Sequence, residues 1–211
     1  MSKFGNAALA AASLLAIILF LTFDRAGSPW ICLVAKLVPV SALLIWLTPP
    51  KSGHARLVYA GLMLSLAGDA LLALPGEWFL PGLVAFLVAH LCYIAAFLDR
   101  RRAAEWPRLL PFAMWVGGVY LFLVDHLGAM AAPVGIYSLV ITVMMWRAAA
   151  LVERPARRWQ LAAAIGATLF GLSDSTLAVM RFHGAVPFGA TFLILAYWAG
   201  QAGIAFSVVR E

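Results

Sequence analysis

The chain has 211 residues, of which 64% are hydrophobic and 11% charged, and its mean hydropathy is +0.96. A soluble domain is closer to half apolar and a quarter charged, so this composition predicts a polytopic membrane protein folded as one helical bundle. The net charge of +6 does not indicate nucleic-acid binding, because the basic residues lie in short loops between apolar runs.

Eight apolar runs are each long enough to cross a bilayer, which takes about 20 residues of helix. Turn-forming sequences such as Gly27-Ser28-Pro29 and Pro49-Pro50 separate them. The first run resembles a signal peptide, but its length and the runs that follow favour a retained helix. We expect an all-α fold in a single transmembrane domain, residues 1–211. The predicted helices cover residues 6–23, 30–48, 56–74, 79–98, 108–124, 131–149, 160–180 and 188–208.

The loop charges predict an orientation. Of the 15 Lys and Arg residues, Arg25 and Arg181 fall in loops on one side and Lys36 lies inside a helix, which leaves twelve on the other side. Cytoplasmic loops of membrane proteins are rich in Lys and Arg. The sequence therefore predicts a multi-pass protein of a bacterial-type inner or plasma membrane, with both termini in the cytoplasm.

A faint internal repeat relates the two halves of the chain. Residues 68–73, GDALLA, resemble residues 173–178, SDSTLA. In the helices that follow, residues 82–90 and 189–197 match at positions four residues apart. A parallel duplication of helices 1–4 as helices 5–8 would place the acid of each half at an equivalent position around a central site.

Two carboxyl groups, Asp69 and Asp174, lie inside apolar helices, where a charge opposes membrane insertion by about 2.5–3.5 kcal/mol. Counted along the predicted helices at the usual helical rise, they share a depth with Lys36, His90 and Tyr197. This depth is the middle or the outer half of the membrane. A shared depth favours one internal polar site over isolated structural hydrogen bonds.

Further candidates share a helix face with these groups or precede one of the acids. Small residues beside an acid permit close helix approach or ligand access, and residues four apart lie on one helix face. The predicted supporting residues are Lys36, Gly68, His90, Tyr93, Ser173, Tyr197 and Gln201. Only one histidine lies at membrane depth, whereas a zinc site takes about three good ligands. We therefore predict no metal and no other cofactor.

Several chemistries fit a pair of membrane acids. Residues 171–175, GLSDS, lack the final glycine of a nucleophile elbow and lie inside a helix, which argues against a serine hydrolase. Two acids sharing a proton would suit an intramembrane aspartic protease. Acids that bind protons would suit a proton-coupled transporter of a lipid or small solute.

Most of the chain, from helix 2 to helix 8, resembles the YhhN family, whose characterised members are lysoplasmalogenases. The resemblance rests on residues 68–72 (GDALL), 82–93 (GLVAFLVAHLCY) and 169–178 (LFGLSDSTLA), together with Tyr197 and Gln201. Residues 137–147 are also similar.

The resemblance implies hydrolysis of the vinyl ether bond of a lysoplasmalogen, giving a fatty aldehyde and glycerophospho-ethanolamine or -choline. One carboxylic acid would protonate the vinyl ether, while a carboxylate stabilises the cation or activates water. Asp69 and Asp174 would share these roles, and the sequence does not assign the acid. The supporting residues would position water and the headgroup, with Lys36 holding phosphate or tuning an Asp. The expected partners are the lysophospholipid and the bilayer, with no nucleic-acid or protein partner.

Overall fold

The structure, a computed structural model, describes residues 3–23 and 29–209. These residues form eight α-helices and two short 3-10 turns, with no β-strand among them. The helices are α1 (Lys3–Phe23), α2 (Pro29–Leu47), α3 (Gly53–Ala73), α4 (Phe79–Arg100), α5 (Leu109–Leu127), α6 (Ala131–Ala150), α7 (Arg158–Phe182) and α8 (Gly189–Phe206). The all-α prediction is confirmed, and the helix ends lie within three residues of those expected. Arg25, Arg210 and the predicted turn at Gly27-Ser28 lie outside the described residues.

Seven helical stretches in the described chain are long and apolar enough to cross a membrane. One of them, residues 106–150, contains both α5 and α6, which the 3-10 turn at Gly128–Met130 separates. Large apolar side chains cover the outside of the bundle: Leu14, Leu121 and Leu139 are 61%, 70% and 70% exposed. An apolar outer surface of this extent suits lipid and not water. The chain is an integral membrane protein.

The helices alternate in direction, so their connections fall at two ends of the bundle. One end, called the arginine end, is formed by residues 48–52, 101–108 and 151–157. The opposite end, called the far end, is formed by residues 74–78, 128–130 and 183–188.

The core lies among α3, α4, α6, α7 and α8 and also takes in buried residues of α2 and α5, while α1 packs mainly against α2 at the edge. Two helix pairs cross very closely because glycine leaves no side chain at the crossing. A Cβ atom on Gly61 of α3 would lie 2.2 Å from the ring of Tyr93 on α4. A Cβ atom on Gly166 of α7 would lie 2.7 Å from the carbonyl oxygen of Gly200 on α8. These close crossings bring the polar residues of α3, α4, α7 and α8 to the bundle interior.

At the arginine end, arginine side chains of the α4–α5 connection form hydrogen bonds with the end of α6. Arg101 donates a hydrogen bond to the carbonyl of Ala150, and Arg108 donates to those of Ala149 and Val152 at 2.6 and 2.8 Å. The last carbonyls of a helix have no partner inside it, so these arginines satisfy the C-terminus of α6. The connection between α4 and α5 is thereby held against α6.

Candidate functional site

Asp69 of α3 is buried and forms an ion pair with Lys36 of α2. Its side chain is 1% exposed, and its Oδ1 lies 2.9 Å from Nζ of Lys36. Its other oxygen, Oδ2, accepts a hydrogen bond from the hydroxyl of Tyr197 on α8. Both carboxylate oxygens therefore have partners, which makes a buried charge tolerable.

A chain of hydrogen bonds continues from Tyr197. The Gln201 amide donates to the Tyr197 hydroxyl at 3.2 Å, and the Tyr93 hydroxyl donates to Oε1 of Gln201 at 2.7 Å. Ser65 Oγ lies 3.4 Å from the Tyr93 hydroxyl. All of these groups are buried. The network fixes the position of Tyr197, and through it that of Asp69.

Asp174 has a different environment on α7. Its side chain is 14% exposed, and its Oδ2 accepts a hydrogen bond from the hydroxyl of Tyr137 on α6. His90 Nε2 lies 3.9 Å from the same oxygen, too far for a direct hydrogen bond. The His90 ring is fully buried, and neither nitrogen has a hydrogen-bond partner among the described residues. A buried orphan donor of this kind next to a carboxyl group is typical of a functional site.

Aromatic rings connect the two acids. The ring of Phe170 lies 4.7 Å from that of His90 and 5.3 Å from that of Tyr197. Phe170 thus links His90, which lies beside Asp174, to Tyr197, which holds Asp69. No hydrogen bond joins the two carboxyl groups in the described structure, and each has its own partners. The two acids lie in one site with two chemically different halves.

A largely apolar cavity opens beside Asp174. It contains about 680 Å³ of empty space, part of which is open to the surroundings. Residues of α4, α5, α6 and α7 form most of its wall, and Leu72 of α3 completes it. Asp174 and Tyr137 line it, whereas Asp69 does not. It extends to the far end, where its wall includes Phe79, Leu123 and Phe182. Asp174 is therefore the acid that a molecule in this cavity meets.

Two predicted supporting residues serve helix packing. A Cβ atom on Gly68 would lie 2.7 Å from the ring of Phe86, so Gly68 permits α4 to approach α3. Ser173 Oγ donates to the carbonyl of Leu193 on α8 at 2.9 Å. Neither residue lines the cavity beside Asp174.

The acids and histidines of the described chain do not converge on a metal site. Across residues 3–23 and 29–209, no three His, Cys, Asp or Glu side chains come together as a metal ion would require.

Tyr137 was missed as a site residue. Tyr137 is the seventh residue of α6, and Lys36 is the eighth of α2, so the two lie at similar but not identical depths in their helices. Each is the partner of an acid on the helix that follows. A phenol inside a membrane helix is otherwise ordinary, so its residue type alone did not single it out.

The helices and the site together define a polytopic membrane protein with two interior acids, one of which faces an apolar cavity. The model of the YhhN family matches residues 31–208, and the chain belongs to that family.

Curated relatives cover most of the chain. It is 35% identical to human lysoplasmalogenase TMEM86B over 186 residues, which is 86% of this chain and 77% of the relative. It is 32% identical to bovine lysoplasmalogenase TMEM86A over 204 residues, 91% of this chain and 84% of the relative. A lysoplasmalogenase of Mycobacterium tuberculosis is 34% identical over 142 residues, 63% of this chain and 52% of the relative. No solved structure matches the chain significantly.

Proposed function

We propose that this protein is a lysoplasmalogenase, which hydrolyses the vinyl ether bond of a single-chain alkenyl glycerophospholipid inside the membrane. The observation that carries the proposal is Asp174, a carboxyl group in the wall of an apolar cavity. Such a cavity accepts an alkenyl chain and presents its first carbons to the acid. The names of the curated relatives support the same reaction. The products are a fatty aldehyde and glycerophospho-ethanolamine or -choline.

Asp174 is the proton donor. A carboxyl group that is hydrogen-bonded to a neutral phenol, in an apolar wall, is suited to carry a proton. Its proton passes to the vinyl carbon farther from the ether oxygen and forms a C–H bond with the electrons of the double bond. The positive charge is then shared by the adjacent carbon and the ether oxygen, and the Asp174 carboxylate stabilises it.

Water completes the reaction. It adds to the cationic carbon and returns a proton to Asp174, which gives a hemiacetal. In the collapse of the hemiacetal, the carbon–oxygen bond to glycerol breaks and the leaving glycerol oxygen takes up a proton. The hemiacetal hydroxyl loses a proton as the aldehyde C=O forms, so the products are the aldehyde and the glycerol hydroxyl. His90 does not line the cavity, but its Nε2 is 3.9 Å from Asp174 and has no hydrogen-bond partner among the described residues, so in this scheme it orients the water from behind the wall.

Asp69 contributes charge and not proton transfer. It is ion-paired with Lys36, held by Tyr197 and absent from the cavity wall. Its carboxylate is held by Tyr197, whose ring contacts Phe170, and Phe170 contacts His90 beside Asp174. Across this low-dielectric interior a fixed carboxylate favours a developing cation. The two acids thus have different roles: Asp174 is the general acid, and Asp69 is a fixed negative charge. A shared-proton dyad, which an aspartic protease needs, is not favoured by these separate partners.

The arrangement of partners supports an internal duplication of four helices. Each acid forms an ion pair or hydrogen bond with a residue of the preceding helix. Each also lies next to a residue from the other half of the chain. The equivalent pairs are Lys36 and Tyr137, Asp69 and Asp174, and Tyr197 and His90. Two repeats that face each other across a central site would exchange contacts in this way.

The close helix crossings support the same relationship. Gly61 contacts Tyr93 in the first half, and Gly166 contacts Gly200 in the second. Gly166 is offset from Gly61 by 105 residues, as Asp174 is from Asp69. On this scheme all eight helices cross the membrane, and the basic arginine end faces the cytoplasm with both termini.

The proposed function is tested with purified protein in detergent micelles. The protein is supplied with 1-alkenyl lysophosphatidylethanolamine, and released aldehyde is measured. The saturated 1-alkyl analogue is the control, since it cannot be protonated at a double bond. We expect aldehyde from the alkenyl lipid alone. Proton flux into sealed proteoliposomes that depends on substrate and yields no aldehyde would instead identify a transporter.

A further inference from the structure

Basic side chains gather at the far end, which the cavity beside Asp174 reaches. His126 is in the last turn of α5, Arg181 is in the last turn of α7, and His183 caps α7. The rings of His126 and His183 lie 5.0 Å apart. The two histidines are in contact, and Arg181 lies two residues before His183 on α7. All three side chains thus belong to the far end, and the mechanism above uses none of them.

This cluster is connected to the cavity wall. The guanidinium of Arg181 lies 5.1 Å from the ring centre of Phe79, and the rings of Phe79 and Phe182 are 5.6 Å apart. Both phenylalanines line the cavity. Stacking on an aromatic ring holds a guanidinium in place while its N–H groups remain available to an anion. Arg181 is thus held against the far-end wall of the cavity.

The position of Arg181 is unusual for a basic residue. Lys and Arg elsewhere in the described chain are concentrated at or near the arginine end, and Lys36 is ion-paired with Asp69. None of the ion pairs within residues 3–23 and 29–209 involves Arg181, although Glu77 and Asp125 belong to the same end. An exposed arginine without a carboxylate partner is available to an anionic ligand.

We propose that Arg181, His126 and His183 form a binding site for a phosphate group at the far-end wall of the cavity. Arg181 binds two phosphate oxygens through its planar N–H groups, and the histidines donate further hydrogen bonds. Arg181 follows Asp174 by seven residues, a distance of about 10 Å along α7. This distance is comparable with that between the vinyl ether and the phosphate of an extended glycerophospholipid. The identification of the phosphate with a lipid headgroup rests on the proposed function.

Equilibrium binding tests the site without relying on catalysis. The probes are 1-alkyl lysophosphatidylethanolamine, which carries phosphate, and 1-alkylglycerol, which does not; neither has a vinyl ether. For Arg181→Gln we expect the Kd of the phospholipid to rise about tenfold, as for loss of a charge-assisted contact. The Kd of the alkylglycerol stays unchanged. A double variant, His126→Gln with His183→Gln, shows the same selectivity to a smaller degree.

The matched control is Arg102→Gln, which removes an exposed arginine at the arginine end and leaves both Kd values unchanged. Arg181→Lys retains the charge without the planar fork and recovers part of the phospholipid affinity. Equal weakening for both probes, or an unchanged phospholipid Kd in Arg181→Gln, would overturn the proposal.

A competition arm distinguishes the sources of the phosphate. Inorganic phosphate at millimolar concentration is added to the wild type with each probe. Little displacement supports a headgroup site, because the tail supplies most of the lipid affinity. Binding of inorganic phosphate that Arg181→Gln abolishes, together with unchanged phospholipid affinity, would assign the site to free phosphate and overturn the headgroup role. If the wild type releases no aldehyde but the phospholipid selectivity depends on Arg181, the proposed hydrolysis fails and the binding site stands.

Discussion

Nζ of Lys36 lies 2.9 Å from Oδ1 of Asp69, and this ion pair joins α2 to α3 inside the bundle. The corresponding partner in the second half of the chain is a phenol, that of Tyr137, which donates a hydrogen bond to Asp174. One acid is therefore matched to a cation and the other to a neutral donor. The proposed mechanism uses this difference: Asp69 is the fixed charge and Asp174 transfers the proton.

Substitutions of Lys36 and Asp69 are expected to have strongly coupled effects on the free energy of unfolding. Lys36→Met leaves the Asp69 carboxylate buried without its cation, and breaking such a pair costs about 3–5 kcal/mol. The double variant Lys36→Met with Asp69→Leu removes both charges and recovers most of that loss. Thermal unfolding in detergent measures the difference. Additive effects of the two substitutions would contradict a direct interaction.

Tyr137→Phe removes the hydroxyl that holds Asp174 and leaves the ring in place. Asp174 becomes a carboxylate as it gives up its proton, and a hydrogen bond to a charged group is worth about 1.5–3 kcal/mol. We therefore expect kcat to fall by about ten- to a hundredfold. KM changes little, because the cavity keeps its shape. The control is Tyr59→Phe, a partly buried tyrosine of α3 outside the site. Wild-type kcat in Tyr137→Phe would remove Tyr137 from the catalytic arrangement.

The crossing of α7 and α8 is expected to be intolerant of a single methyl group. Gly166→Ala places a Cβ atom 2.7 Å from the Gly200 carbonyl oxygen, so the helices must separate, at about 1–3 kcal/mol. Gly117→Ala is the matched control, because a Cβ atom there meets nothing within 4 Å. We expect Gly117→Ala to unfold at the same temperature as wild type or slightly higher, since alanine favours helix. Equal unfolding temperatures for the two variants would contradict this packing.

Protonation at carbon is detectable with isotopes, because a hydrogen derived from the solvent becomes part of the aldehyde. When the reaction runs in D2O, the deuteron from Asp174 enters the carbon next to the aldehyde group. Mass spectrometry of aldehyde trapped early is expected to show one deuterium per molecule. Aldehyde without deuterium at that carbon would exclude the proposed proton transfer. The chemical step is also expected to slow in D2O, because proton transfer to carbon takes part in it.

The sequence predicted the helices well because Pro and Gly mark their ends and a helix has a fixed rise per residue. Depth along each helix followed from the same count, which brought Asp69, Lys36 and Tyr197 to one level. The count did not predict which side of each helix faces which other helix when the two helices are distant in sequence. The contact of α8 with α3, and of α4 with α7, depends on packing of the whole bundle. That packing seals Asp69 and exposes Asp174 to the cavity, so the role of each acid required the structure.

The placement of the supporting residues illustrates the same limit. Tyr93 and Gln201 were expected beside substrate because they share a face with His90 and Tyr197. The structure places them in a buried chain of hydrogen bonds that supports Tyr197. A helix face identifies residues that point inward, but it does not tell which of them line a cavity.

The most direct test of the central claim is aldehyde release by Asp174→Asn. Asparagine has the same shape and accepts the Tyr137 hydrogen bond, but it has no proton to give. We expect the rate to fall by a factor of about 100 to 10,000, the usual contribution of a general acid. The unfolding temperature stays near that of wild type. Asp99→Asn, at the exposed end of α4, is the matched control and keeps full activity. A rate for folded Asp174→Asn close to that of wild type would contradict the assignment of Asp174 as the acid.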